Sequence, residues 1–303
     1  MTGQLARRLL PLVCAVVFAL IAGCTAGGTD NDNASSGTPL DPDVPPVTDG
    51  DWYRPGGDAS WQWQLQPDAD GGINTDYDVD VYDVDLFDAP DEVIEKLHTD
   101  GRAVICYFSA GTYEDFRDDA GEFDPPALGE PLGDFPDERW LDIRSAHVHR
   151  IMLARLDLAA ARGCDGVEPD NVDAYANDSG FDLTARDQLA YNRFIANAAH
   201  QRGLAVGLKN DLDQVEQLVD YFDFSVNEQC FEYAECEALR PFIDAGKPVF
   251  NAEYASGYVE SAVAREALCI DAAALRLQTL VLPVDLDDAF RFSCESAGMS
   301  NNE

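Results

Sequence analysis

The stretch Gly163-Cys-Asp-Gly-Val-Glu-Pro-Asp-Asn-Val-Asp173 gathers groups that can do acid–base or nucleophilic work. Glu168, Asp170, Asn171 and Asp173 close a short run that reads as a buried strand. Glu168 and Asp170 are two residues apart, so on a strand they point the same way. Polar groups gather at other run ends too: Asp85, Tyr107, Lys209 with Asn210, Glu228, and Glu253 with Tyr254. Two carboxyl groups can hydrolyse a glycosidic bond. One protonates the leaving oxygen while the other attacks the anomeric carbon or activates water. The two need environments that keep one protonated and the other ionised. Asp170 is the first candidate, Glu228 the second and Glu253 the reserve. Each acid has a plainer alternative, an ion pair or hydrogen bond, for instance with Lys209. Ser109 and Ser225 have no evident histidine partner, so no nucleophilic triad is indicated.

These groups need a scaffold that brings several strand ends together. Strand runs are read at Trp61–Leu65, Asp80–Leu86, Ala103–Ser109, the run before Asp170, Leu204–Leu208, Phe222–Glu228, Pro248–Tyr254 and Thr279–Val284. Helical patterns lie at Asp91–Thr99, Ser145–Arg162, Thr184–Arg202, Leu212–Leu218, Glu235–Ala245 (with Pro241 as a kink) and Glu260–Arg276. Gly163 stops one helix, and Thr184 with Asp187 has capping-box spacing. Strands alternating with helices argue for a parallel sheet. Eight units favour an α/β fold with a single (β/α)8 TIM barrel, whose active site lies at the C-terminal strand ends. Glu114–Pro136 is rich in Gly, Pro and acids and reads as a long loop on that face. The aromatics of Trp61-Gln-Trp-Gln-Leu65, Trp61 first, can stack on a sugar ring or sit in the core. In Phe222–Glu228, Glu228 shares a face with Phe224 and Val226; strands buried on both faces do not reveal which face looks inward. No Gly-x-Gly-x-x-Gly follows a strand and no Walker A loop occurs, so nucleotide binding lacks support.

Residues 1–23 combine Arg7 and Arg8 with an apolar run and end in Ile21-Ala22-Gly23 before Cys24. This is a signal peptide with a bacterial lipobox, and it predicts lipidation of Cys24. Residues 24–51 are rich in Gly, Ser, Thr, Asn, Asp and Pro and read as a flexible tether. Residues 52–303 are left for the catalytic domain. The chain is thus expected outside the cytoplasm, lipid-anchored to the bacterial membrane or secreted. Of eight cysteines, six lie in the domain, where disulfides are permitted. Candidate pairs are Cys230–Cys236, Cys269–Cys294 and Cys106–Cys164, among fifteen connectivities. No Cys-x-x-Cys pair occurs and His147 and His149 would not share a helical face, so no metal site is expected. A net charge of −37 argues against nucleic acid as a partner. It suits solubility, salt adaptation or attraction of a cationic substrate.

A set of ordered motifs resembles glycoside hydrolase family 114. They are Trp61-Gln-Trp-Gln-Leu, Val81-Tyr-Asp-Val-Asp-Leu-Phe, Val104-Ile-Cys-Tyr-Phe-Ser-Ala-Gly, Trp140-Leu-Asp-Ile-Arg, Asp165-Gly-Val-Glu-Pro-Asp-Asn-Val-Asp, Gly207-Leu-Lys-Asn-Asp and Val226-Asn-Glu-Gln-Cys. They span about Trp61 to Asp287. The resemblance implies a (β/α)8 endo-α-1,4-polygalactosaminidase with Asp170 as nucleophile and Glu228 as acid/base in a retaining mechanism. The implied partner is a cationic amino-sugar polysaccharide, cut by a monomer without a cofactor. Strand-end placement adds Trp61, Asp85, Tyr107, Glu168, Asn171, Lys209, Asn210, Glu253 and Tyr254 as substrate contacts. The rival readings are a non-catalytic polysaccharide-binding surface lipoprotein and a hydrolase of the same fold acting on another glycan.

Overall fold

The computed structural model describes residues 39–133 and 135–294. The leader, Cys24 and the first part of the expected tether lie outside the described residues. The main sheet opens with β1 (Trp61–Gln64), β2 (Val81–Asp85) and β3 (Ala103–Ser109). The chain then leaves it to form a separate antiparallel sheet from β4 (Thr112–Glu114), β5 (Leu128–Leu132) and β6 (Phe135–Leu141). It returns with β7 (Gly166–Asp170), β8 (Ala205–Lys209), β9 (Phe224–Glu228), β10 (Val249–Glu253) and β11 (Gln278–Val281). Every neighbouring pair from β1 to β11 is parallel, and the short β12 (Phe292–Ser293) adds antiparallel to β11. The eight expected strands are therefore present in one curled parallel sheet, in chain order. Its two ends meet through side chains and loops: Trp61 Nε1 donates to the Gln278 carbonyl, and Leu65 N–H to that of Leu286. No ladder joins β1 to β11 among the described residues.

The connecting helices are α1 (Asp91–Thr99), α2 (Ala146–Arg162), α3 (Ala185–His200), α4 (Val215–Leu218), α5 (Arg240–Asp244), α6 (Ser256–Glu260) and α7 (Ala262–Leu275). Residues 65–80 between β1 and β2 carry no helix, in keeping with the lack of a helical pattern there. Gly163 caps α2 in the left-handed region, and Thr184 and Asp187 form a reciprocal capping box on α3. A 3-10 turn at Cys236–Leu239 runs directly into α5, and Pro241 sits in the first turn of α5, where no N–H is needed. The expected loop Glu114–Pro136 is instead largely structured. Its strands β5 and β6 pair with each other, and β6 pairs with β4.

The sheet is apolar on both faces. Trp61, Trp63, Ile105, Phe224, Val226, Phe250 and Leu280 fill its concave side. Tyr82, Val84, Val104, Phe108, Val167 and Val206 pack outward against the helices. Alternation thus turns Glu228 inward with Phe224 and Val226, settling what the pattern alone left open. The three expected disulfides are formed: Cys106–Cys164, Cys230–Cys236 and Cys269–Cys294. Such bonds persist in an oxidising, extracytoplasmic compartment. No described helix is long and apolar enough to cross a membrane.

Residues 40–51, read from composition as tether, lie along the domain. Leu40 packs on the outer core and Val47 on the concave one. The segment's carbonyls accept from Arg193 (at Pro42), Tyr221 (at Val44) and Asn197 (at Pro45), and Asn197 Oδ1 takes the Val47 N–H at 2.7 Å. A polar segment rich in proline holds its place here because helix side chains satisfy its backbone.

Candidate active site

The C-terminal ends of the strands surround an open cleft of about 840 Å³, lined in part by Trp63, Tyr107, Asp170, Lys209, Glu228 and Tyr254. The chain turns sharply as each of three strands reaches it. Asn171, Asn210 and Gln229, the residues after β7, β8 and β9, all have positive φ. Asparagine tolerates that region better than most residues. The turn after β3 needs glycine at 111, where a Cβ would lie 1.6 Å from the Asn171 carbonyl oxygen.

Lys209 stands at the centre. Its ammonium is 3.2 Å from Glu168 Oε1, from Asp170 Oδ1 and from Glu228 Oε2. It also lies over the Trp63 ring, 4.7 Å from the centroid, a cation–π contact. Burial alone would lower the lysine's pKa, but Asp170, Glu228 and Glu168 together raise it well above its ordinary value. Tyr107 donates to Asp170 Oδ2 at 3.1 Å, and the Asn171 N–H to Oδ1 at 2.7 Å. Glu228 receives the Tyr254 hydroxyl at 2.6 Å and the Asn210 amide at 3.2 Å. Burial pushes the Glu228 carboxyl up; Lys209, Tyr254 and Asn210 outweigh it and bring it below the usual value.

Beneath this layer Glu168 is fully enclosed, and no N–H or hydroxyl donor reaches it apart from the Lys209 ammonium. The buried carboxyl of Asp83 lies against it. Burial first, and then their mutual charge, push Asp83 well above the carboxylate range; burial raises Glu168 against the pull of Lys209. Two enclosed carboxyls with one shared cation hold a proton between them.

The structure brings together Asp170, Glu228, Lys209, Tyr107, Asn171, Asn210 and Tyr254 of the expected residues. It moves three others. Trp61 is no sugar platform: it is fully buried, stacked on Trp63 and Phe250 one layer below the cleft. Trp63, two residues nearer the strand end, lines the cleft beneath Lys209, although at 1% exposure it too is buried. Glu253 has the wrong parity. Ala252 and Tyr254 turn inward, while Glu253 is buried outside and accepts from Phe231 N–H at 3.0 Å. Glu168 supports Lys209 from below and does not line the cleft. Asp85 borders the cleft, but Arg117 engages both of its oxygens, at 3.0 and 2.6 Å. That arginine also binds Glu114 and Asp88, fastening the excursion between β3 and α2 to the rim.

Arg117 and Glu138 are not singled out by sequence; Asp83 is read only as sharing a strand face with Asp85, and Trp63 only among the aromatics of the first strand. Glu138 of β6 accepts from Thr112 at 2.8 Å and borders the cleft; burial raises its carboxyl to about 7. Alternation offered a signal for Asp83, which shares the inward face with Asp85, and for Trp63, which shares it with Trp61. Nothing local marks Arg117, whose partners lie on other elements.

A parallel α/β sheet whose strand ends hold two carboxylates in an open polar cleft has the build of a glycoside hydrolase. Residues 43–298 match the model of glycoside-hydrolase family GH114; the chain belongs to that family and is a glycoside hydrolase. Its structure is similar to that of Ega3 from Aspergillus fumigatus in complex with galactosamine. The identity is 41%, over 82% of this chain and 99% of that one, with a TM-score of 0.76. The glycoside hydrolase domain of PelA from Pseudomonas aeruginosa shares the fold at 13% identity, over 76% of this chain and 96% of that one, with a TM-score of 0.57. No match is found among curated proteins.

Proposed function

We propose that the protein is an endo-acting hydrolase of α-1,4-linked galactosamine polymer, working with retention of configuration on a (β/α)8 barrel. The observation that carries this reading is the pairing of Asp170 and Glu228, from β7 and β9, across one ammonium at 3.2 Å from each. Those two oxygens can be no farther apart than twice that distance. That bound sits at the lower edge of the roughly 6.5–9.5 Å that inverting enzymes leave for a water and admits the roughly 5–5.5 Å of retaining ones. Asp170, held by Tyr107, Lys209 and its neighbour's N–H, is the nucleophile. Glu228 protonates the leaving oxygen and then activates water. In the resting site Lys209 keeps Glu228 ionised, so the acid role requires that contact to loosen. The Asp83–Glu168 pair below offers the ammonium another anionic partner when it gives up its proton.

The substrate class draws support from the galactosamine bound in the Ega3 structure and from the acidity of this chain. An acidic cleft attracts a cationic polymer. The open cleft suits binding along a chain and cutting within it. Signal cleavage and lipidation at Cys24 would hold the enzyme at the outer face of a bacterial membrane. Stereochemistry tests the mechanism: proton NMR of the first products from a galactosamine oligomer should show the α-anomer before mutarotation. A β-anomer formed first contradicts retention.

A further inference from the structure

A second hollow of about 360 Å³ opens beside the catalytic cleft, between the loops that follow β7, β8 and β9. It contains Glu228 but not Asp170. In a retaining glycosidase the acid/base stands next to the leaving sugar and the nucleophile next to the sugar that stays bound. The hollow therefore lies on the leaving-group side.

Its chemistry is one-sided. Asp173, Asp211, Asp213 and Glu235 line it, and none of them forms an ion pair among the described residues. The catalytic carboxylates next door have Lys209; these have no cation of the chain. Two polar groups at its wall are buried. Asn227, 1% exposed, uses its amide nitrogen on Asn210 Oδ1 and leaves Oδ1 without a hydrogen bond. Asp211, 4% exposed, accepts from Asn192 through Oδ2; its Oδ1 has no bond of ordinary length, and the Tyr175 hydroxyl is the donor that stands near this carboxyl. Asp211 also sits in left-handed backbone with φ 45°. Buried acceptors in native proteins normally find a partner, so the orphan Asn227 Oδ1 in this hollow marks a place for a donor. Burial, and then the facing charge of Asp173, push the Asp211 carboxyl up to about 8, as expected of acids that lack a cation. Tyr175 and the exposed Tyr233 add ring surface of the kind that packs on sugars.

We propose that this hollow is a leaving-side subsite for a 2-amino sugar. Its protonated amine is held between Asp211 and Asp173 and donates to Asn227 Oδ1. The inference rests on the hydrolase reading above and adds where the bond is chosen. The enzyme cuts preferentially where the sugar about to leave carries a free amine.

Two sets of α-1,4-galactosamine oligomers test this, alike except that the leaving-side sugar is either free or N-acetylated. Cleavage is followed by mass spectrometry. The parent protein should cut the free-amine bond at least about tenfold faster in kcat/KM, the worth of one charge-assisted contact. Asp211→Asn keeps the Asn192 bond and should reduce the preference to about twofold or less, through slower cleavage of the free-amine bond. Asp213→Lys, at an exposed position safe for folding, brings a competing cation to the mouth and should also erode the preference. Equal rates on both bonds by the parent overturn the subsite and leave the hydrolase standing. So does a full preference kept by either folded variant. Failure of the parent to cut either oligomer overturns the subsite together with the proposed function.

Discussion

Replacing Lys209 by Met removes the charge at the centre of the site while keeping most of the side chain's length. The lysine is 3% exposed on its side chain, and three carboxylate oxygens lie 3.2 Å from its nitrogen. At that separation one pair attracts by about 5 kcal/mol at an effective dielectric near 20, most of which the cost of burying the ions offsets. Removing one partner of a buried pair costs about 3–5 kcal/mol, because the other charges stay behind. For a domain of this size that is a Tm loss on the order of 10 °C at neutral pH. The loss depends on pH in a defined direction. Glu228 has a lowered folded pKa, so its contribution is present above the unfolded value near 4.3 and is lost as pH falls through the folded one. Lys209 has a raised folded pKa, so its contribution is complete below its unfolded value near 10.4 and is lost only as pH rises through the folded one. The variant lacks both, so the gap from the parent is widest between about pH 5 and pH 10. It closes below about pH 4, as Glu228 takes up its proton; Glu168 and Asp83, both raised by burial, are protonated at higher pH. Tyr107 and Tyr254, the other titratable neighbours, stay neutral throughout, since burial raises both. Thermal melts from pH 4 to pH 9 read the gap directly. A gap that does not narrow toward pH 4, or a variant as stable as the parent at pH 7, refutes the assignment of Lys209 as counter-ion.

Three further outcomes follow from other parts of the structure. Trp61→Ala should cost about 3–5 kcal/mol in denaturant melts, as a buried indole does. Trp63→Ala should additionally raise KM for the oligomer, because this ring alone of the two reaches the cleft; the reverse pattern would restore Trp61 as the platform. Removing the Cys106–Cys164 bond with the double Ala variant should lower stability by about 4 kcal/mol on loop-entropy grounds, given its separation of 58 residues. Little change in the urea midpoint would show that the two strands need no staple. Activity on deacetylated polymer should fall several-fold between low and 0.5 M salt and fall again on N-acetylation. Rates indifferent to both would remove the electrostatic account of the −37 charge.

Asp170 and Glu228 were legible because each closes an apolar run, and in parallel sheets such ends converge. Cys230–Cys236 was legible from closeness in sequence, and Cys106–Cys164 from two runs that had to be neighbouring strands. Depth was not legible. Trp61 and Trp63 point the same way, and only the curl of the sheet decides that Trp63 lines the cleft while Trp61 lies in the layer beneath. Parity failed at Glu253 because both faces of β10 are buried, so hydrophobicity does not mark the inward side. The role of Arg117 depends on Asp85, Asp88 and Glu114 meeting it from separate elements. The docking of residues 40–51 depends on Arg193, Asn197 and Tyr221, distant in sequence. Composition reports that such a segment lacks its own core, not that helices elsewhere will satisfy its backbone.

The most direct test of the central claim is product analysis by mass spectrometry after incubation with partly deacetylated galactosamine polymer. The parent protein would be run beside Asp170→Asn and Glu228→Gln. Short oligomers from the parent, with losses of at least about a hundredfold in both variants, are the result expected of a nucleophile and an acid/base. Undegraded polymer in every reaction, or variants as active as the parent, would contradict the assignment of this site.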